Sequence, residues 1–198
     1  MKGSARLALG LVVAALLLAT VGCGGSSGPS ANLQAGQRLS AKEAWDVVAP
    51  DVLKWKSGSL IVACRPPSRP GKEDLGVDGL SSAWRFIVAP QGDGNMAFFS
   101  LDTTSQPIKP NRSDQVRPAA KASLDPAAWT VDSPQAMEIA LANGLQAFID
   151  GHSSFQVKTM TFEIGADVDA GAYWNLVGKD GSDTFTIKIS VIDGSVIP

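Results

Sequence analysis

Two thiols and one imidazole make up this chain's store of nucleophilic and near-neutral titratable side chains: Cys23, Cys64 and His152 among 198 residues. One histidine cannot supply an HExxH pair or a His-rich ligand set. In "DGHSS" it lies in a loop between elements and reads as solvated rather than as the base of a triad. The acidic turns "GDGN" (92–95) and "KDGSD" (179–183) offer oxygen ligands, but they lack the twelve-residue spacing and closing Glu of a calcium loop, and hairpin chemistry accounts for both. No glycine loop ends in Gly-Lys-Ser/Thr to cradle a phosphate. The expectation is therefore no enzyme, with no catalytic residue, no metal and no cofactor.

The chemistry that the spacing does specify sits at the front end. Lys2 and Arg6 precede residues 7–19, which hold only Leu, Ala, Val and one Gly. Thirteen apolar residues are short for a bilayer span, which needs roughly 20, and suit the core of an export signal. The run ends in Ala19-Thr20-Val21-Gly22-Cys23. This resembles the lipobox of bacterial lipoproteins, with Thr20 where that pattern prefers Leu. Small neighbours let a peptidase reach the Gly22–Cys23 bond, and only a thiol accepts the lipid. The resemblance implies lipidation at Cys23, with removal of residues 1–22 and membrane attachment on the extracytoplasmic side. Gly24 in place of Asp points to the outer membrane if the host has two. One acyl chain holds only marginally, whereas the two or three implied here anchor stably. Residues 23–37, rich in Gly and Ser at their start, form a flexible tether.

Without residues 1–22 the 17 Lys and Arg become 15 against 19 acids, a net charge near minus four that offers nothing to nucleic acid. Cys64 would be the remaining thiol, so no disulfide framework is expected. It closes the apolar run Leu60-Ile61-Val62-Ala63-Cys64 and reads as a small buried hydrophobe.

The positioning elements follow from periodicity. Ser40 with Glu43 forms a capping box, Leu39 and Ala44 are spaced for a hydrophobic staple, and Ala44, Val47, Val48 and Val52 mark one helix face. Pro50 is expected to kink or break that helix. Residues 59–64 read as a strand, 65–80 as a loop, and 84–88 with 96–102 as a hairpin about "APQGDGN". Residues 111–128 are polar with scattered Pro and read as a linker; Asn111-Arg112-Ser113 within them is taken as a chance glycosylation sequon. Ser133 with Pro134 opens a second helix striped by Met137, Ala140, Leu141, Leu145 and Phe148, which ends by Asp150-Gly151, with Asn143-Gly144 an earlier stop. Strands are expected at 155–164 and 173–177, and a last one carries Phe185, Ile187, Ile189 and Val191 on one face.

Ser40 matches Ser133 and Trp84 matches Trp174 at an offset near 90 residues, so the order of elements is expected to repeat a helix-strand-hairpin unit. The helix starts "SAKEA" and "DSPQA", the paired tryptophans and the closing "IKISVIDGSVI" resemble the PepSY-like modules of bacterial envelope proteins. That resemblance implies an α+β fold of two units, each a helix packed on a curled antiparallel sheet, over residues 38–110 and 129–198. It also implies a role in restraining or accompanying exported peptidases. The functional expectation is a non-enzymatic binding or interaction module, with a trans-acting peptidase inhibitor or chaperone and a carrier of a small apolar ligand as alternatives. Partners are the membrane, through the lipid, and an envelope protein or peptidase. Trp55, flanked by Lys54 and Lys56, is the candidate contact surface.

Overall fold

The computed structural model describes residues 33–67, 75–91, 95–116, 123–152, 155, 161–167 and 171–198. Cys23 and the whole export signal lie outside them. Helix α1 (Ala41–Trp55) leads into strands β1 (Ser59–Arg65), β2 (Ala83–Pro90), β3 (Asn95–Asp102) and β4 (Asn111–Val116). Helices α2 (Ser133–Ala140) and α3 (Gln146–Gly151) precede β5 (Thr161–Asp167), β6 (Gly171–Asp180), β7 (Asp183–Ser190) and β8 (Val196–Ile197). The class is α+β, as expected. The strands form one antiparallel sheet ordered β4-β3-β2-β1-β5-β6-β7-β8, where two separate curled sheets were anticipated. Pairing β1 with β5 through Cys64 and Ile164 places what would be two inner edges in the middle of the sheet, where their N–H and C=O groups find partners.

Both helices pack on the same face, α1 over β1 to β3 and α2 over β6 and β7. Alternation supplies the core: Trp84, Phe86 and Val88 from β2, Ala97, Phe99 and Leu101 from β3, Trp174 and Leu176 from β6, and Ile187 and Ile189 from β7. In β1 the buried residues are Ser59, Ile61 and Cys64, the last two three apart because a bulge between Ile61 and Ala63 resets the alternation.

Four local expectations are corrected. Helix α1 runs unbroken through Pro50. Pro50 and Asp46, whose carbonyl loses its usual donor, both lie on the exposed side, so that carbonyl is not left orphaned in the core. The cap of α2 is Asp132, in a capping box with Gln135, and Ser133 is already helical. At Asn143 and Gly144 the helix kinks rather than stops; Gly144 takes φ +109°, and α3 carries on to Gly151. The polar segment expected as a linker holds strand β4 at its start. A chain of Asn, Arg, Ser and Asp suits an edge strand, whose polar side chains discourage further pairing. Leu124, further along, is buried and exchanges both backbone hydrogen bonds with Ile61, at 2.9 and 2.7 Å.

Candidate functional site

The two long helices begin against each other. The Ala41 N–H donates to Ser133 Oγ at 2.9 Å, and the Lys42 N–H donates to Asp132 Oδ1 at 3.0 Å. Asp132 and Ser133 thus satisfy first-turn amides of α1 as well as opening α2. A carboxylate there also meets the positive ends of two helix dipoles. Lys42 Nζ donates to the Trp129 carbonyl at 2.6 Å. Nearby Asp46 is held above the usual carboxylate range, first by partial burial and then by Asp132 and Glu43, against the pull of Lys42.

Beneath the helix starts, the Trp84 indole N–H donates to the Leu39 carbonyl and that of Trp174 to the Val131 carbonyl, both at 2.9 Å. The buried Trp129 donates to the same Val131 carbonyl at 2.8 Å. These rings are core, not a ligand box.

Among the described residues no helix covers the opposite face of the sheet, and over β1 to β4 that face forms a groove of about 730 Å³. Strand register orders its floor. Arg65 stands opposite Arg85, Arg85 opposite Ser100, and Ser100 opposite Asn111, so one row across four strands consists of hydrogen-bond donors. The next row on the same face is Ala63, Ile87, Phe98 and Ser113, mostly apolar. Lys109 and Asp102 lie at the rim. Asp102 Oδ1 accepts the Thr104 N–H at 2.9 Å and its hydroxyl at 2.5 Å.

The folded body also begins at this end. The Gly36 N–H donates to the Thr103 carbonyl at 3.0 Å, and Thr103 Oγ1 donates to the Gln37 carbonyl at 2.8 Å. The chain arriving from Cys23 therefore joins the body one residue from the groove's rim.

Trp55, the candidate contact residue, is the last residue of α1 and half-buried. It stands edge-on to Phe99 with centroids 5.9 Å apart, and Lys56 Nζ lies 5.7 Å from its ring. A shallow niche of about 260 Å³ beside it is lined by Asp51, Lys54 and Arg112 among others. It is on the helix side of the sheet and separate from the groove. Cys64 is wholly buried, and burial first, with Asp132 adding, pushes its thiol well above the ordinary range. A thiol there is a packing group.

His152 caps α3. Its Nδ1 lies 2.7 Å from the Phe148 carbonyl and its Nε2 3.1 Å from Asp183 Oδ2, while the ring stacks on Phe148 at 4.1 Å. The carbonyl contact first, then Asp183, raises its pKa. Such a geometry suits an imidazolium tying a helix end to the β6–β7 turn. Among the described residues, no group of three His, Cys, Asp or Glu side chains is placed to hold a metal ion. No helix among them is long and apolar enough to cross a membrane.

The donor row escaped sequence reading because Arg65 and Arg85 are 20 residues apart and become neighbours only through register. The alternation of Arg85 against Trp84 and Phe86 did mark Arg85 as facing away from the core.

No family model matches the chain, and no curated protein sequence matches it either. Among solved structures it is similar to a "putative lipoprotein" of Clostridium difficile 630, at 16% identity, covering 76% of this chain and 88% of that one, with a TM-score of 0.47. That likeness is too distant to carry a function across.

Proposed function

We propose that this chain is a lipid-anchored envelope protein whose body is a non-enzymatic binding module. The observation that carries the reading is positional: the tether enters at Gly36–Thr103, beside the rim of the groove over β1 to β4. Nine residues separate Cys23 from Leu33. Fully extended they reach at most about 30 Å, so acyl chains on Cys23 would keep the groove close to the bilayer surface. Attachment is on the extracytoplasmic side, at the outer membrane of a two-membrane host. The two halves are proposed to be PepSY-like repeats. Supporting this, the strand order reads outward from β1 and β5 in the same sequence, and each half sends an indole N–H to the carbonyl just before its helix cap.

The test is a Cys23→Ser chain expressed in a bacterium that processes lipoproteins. The expected result is an unprocessed precursor and loss of the mature membrane-bound form. Normal processing with retention in the membrane fraction would overturn the anchor.

A second reading, a trans-acting inhibitor or chaperone of an exported peptidase, is favoured by one feature. Strand β8 pairs only with Lys188 and Ile189, so among the described residues 184–187 of β7 remain sheet edge, open to strand addition. Assays of the host's exported peptidases with and without the protein decide it; no effect on any of them removes the idea.

A further inference from the structure

We infer that α3 is a pH-gated catch: a segment hinged at Asn143–Gly144 and latched by His152 on Asp183, seated on the sheet while the imidazole is protonated and lifting as that proton is lost. The inference is independent of what the body binds.

No residue of α3 is fully buried. So short a helix does not persist unaided in water, and α3 therefore lasts only while something ties it down. Upstream, Asn143 at φ −109°, ψ 34° and Gly144 at φ +109° interrupt the helical backbone, so the rod of α2 does not brace it. Among the described residues its ties are few. Ile149 packs at the margin of the core. The Phe148 ring lies over Gly178 of β6, where a β-carbon would stand 3.6 Å from it, and its centroid is 6.0 Å from that of Phe185 in β7. Phe148 also meets Phe155 edge-on at 5.5 Å. The polar tie from this end of α3 to a strand is His152 to Asp183.

Both ring nitrogens of His152 face oxygens that only accept: the Phe148 carbonyl, 2.7 Å from Nδ1, and the Asp183 carboxylate, 3.1 Å from Nε2. A neutral imidazole carries one N–H and serves one of them, whereas an imidazolium serves both. Keeping the shorter bond to the Phe148 carbonyl preserves the end of α3 but gives up Asp183, which is the link to the sheet. Loss of the proton thus unlatches the segment. The charged groups facing the ring are Asp183 from β7 and Asp180 from β6, and both favour the protonated form. Asp150, on α3 itself, accepts from Gln146 Nε2 at 2.7 Å. The Phe148 carbonyl first, and Asp183 next, hold the ring's pKa above the ordinary 6.5, so the catch is shut below that value and opens at higher pH. Phe185 lies in the stretch of β7 left as sheet edge, so opening bares aromatic surface beside that edge.

Native-state amide exchange of the full chain in detergent, corrected for the intrinsic rate at each pH, reads the catch directly. The amides of α3 are expected to open locally, at a rate indifferent to low concentrations of urea, because lifting one short helix bares little surface. Those of α1 should follow global unfolding and respond to urea. Between mildly acid and mildly alkaline buffer, protection of the α3 amides should fall about two- to fivefold, the range for a solvent-exposed ion pair. His152→Gln should bring α3 in acid buffer to the level of the parent in alkaline buffer and remove the pH dependence. Asp183→Ala should do the first and leave a smaller pH dependence, since the Phe148 carbonyl still favours the protonated ring.

Both substitutions lie at the exposed end of a helix and at a hairpin turn, and either one alone decides the outcome. Exchange of α3 that matches α1 at every urea concentration would show that the segment never lifts by itself. That result overturns the inference. So does α3 protection that is the same in acid and alkaline buffer, or that neither variant changes.

Discussion

Trp84 and Trp174 meet ring to ring at the centre of the core, centroids 6.4 Å apart and planes 64° to each other. Each is fixed at its polar end by a carbonyl that precedes a helix cap. The pair joins β2 to β6 and locks both helix starts to the sheet. Trp84→Phe leaves the Leu39 carbonyl without its indole partner in a buried setting and removes ring volume, a loss of about 2–4 kcal/mol. Trp174→Phe should cost about as much through hydrogen bonding, because each carbonyl keeps a second donor, the Ser81 N–H at Leu39 and the Trp129 indole at Val131. Denaturant unfolding of both single variants and the double variant should show a coupling of about 0.5–1.5 kcal/mol, the range for edge-to-face aromatic pairs.

Ser133→Ala tests the shared helix start. The variant orphans the buried Ala41 N–H while leaving the Asp132 cap of α2 intact, so it should destabilise by about 1–2 kcal/mol. A Ser133→Ala chain as stable as the parent in urea would mean that the amide finds another partner.

Gly79 occupies the left-handed region at φ +73°, and a β-carbon there would stand 2.5 Å from the Ser133 carbonyl oxygen and 2.8 Å from Pro134 Cα. Both contacts are backbone and cannot swing aside. Gly79→Ala should therefore cost well over the roughly 1–2 kcal/mol of a left-handed alanine alone. Gly58→Ala, also at positive φ but with no atom near, is the control and should cost about that amount.

For His152 the sign follows from the direction of its shift. Its folded pKa lies above the ordinary 6.5, so its contribution is complete below the unfolded value and fades as pH rises through the folded one. The gap in thermal midpoint between the parent and His152→Gln should be widest in mildly acid buffer and close at alkaline pH. Asp183→Asn should reduce that pH dependence without abolishing it, since the Phe148 carbonyl contact remains, and an NMR titration of the ring reads the pKa directly. A gap that widens with pH would contradict the assignment of an imidazolium.

The fold was legible where pattern and environment agree. Strand alternation in 84–88 and 185–191 pointed the right residues inward, and the Ser40–Glu43 box marked the start of α1 correctly. Reading failed where a tertiary neighbour overrides a local signal. Pro50 breaks nothing because its helix face is wet. Ser133 has the side chain of a cap but spends it on another helix. Residues 111–116 lack strand propensity and are strand because β3 offers an edge. The groove was invisible for the same reason, since no local rule brings Arg65 and Arg85 together, whereas the thiol chemistry of Cys23 is written within five consecutive residues.

The bond from Ala41 to Ser133 spans 92 positions of sequence, and the seam at Cys64 and Ile164 spans more. A polypeptide emerging amino end first from a ribosome or a translocation pore can pair β1 to β4 with one another, but one edge of β1 and the first-turn amides of α1 wait for partners that arrive about a hundred residues later. Such a topology delays the final closing of the core until the second half has arrived.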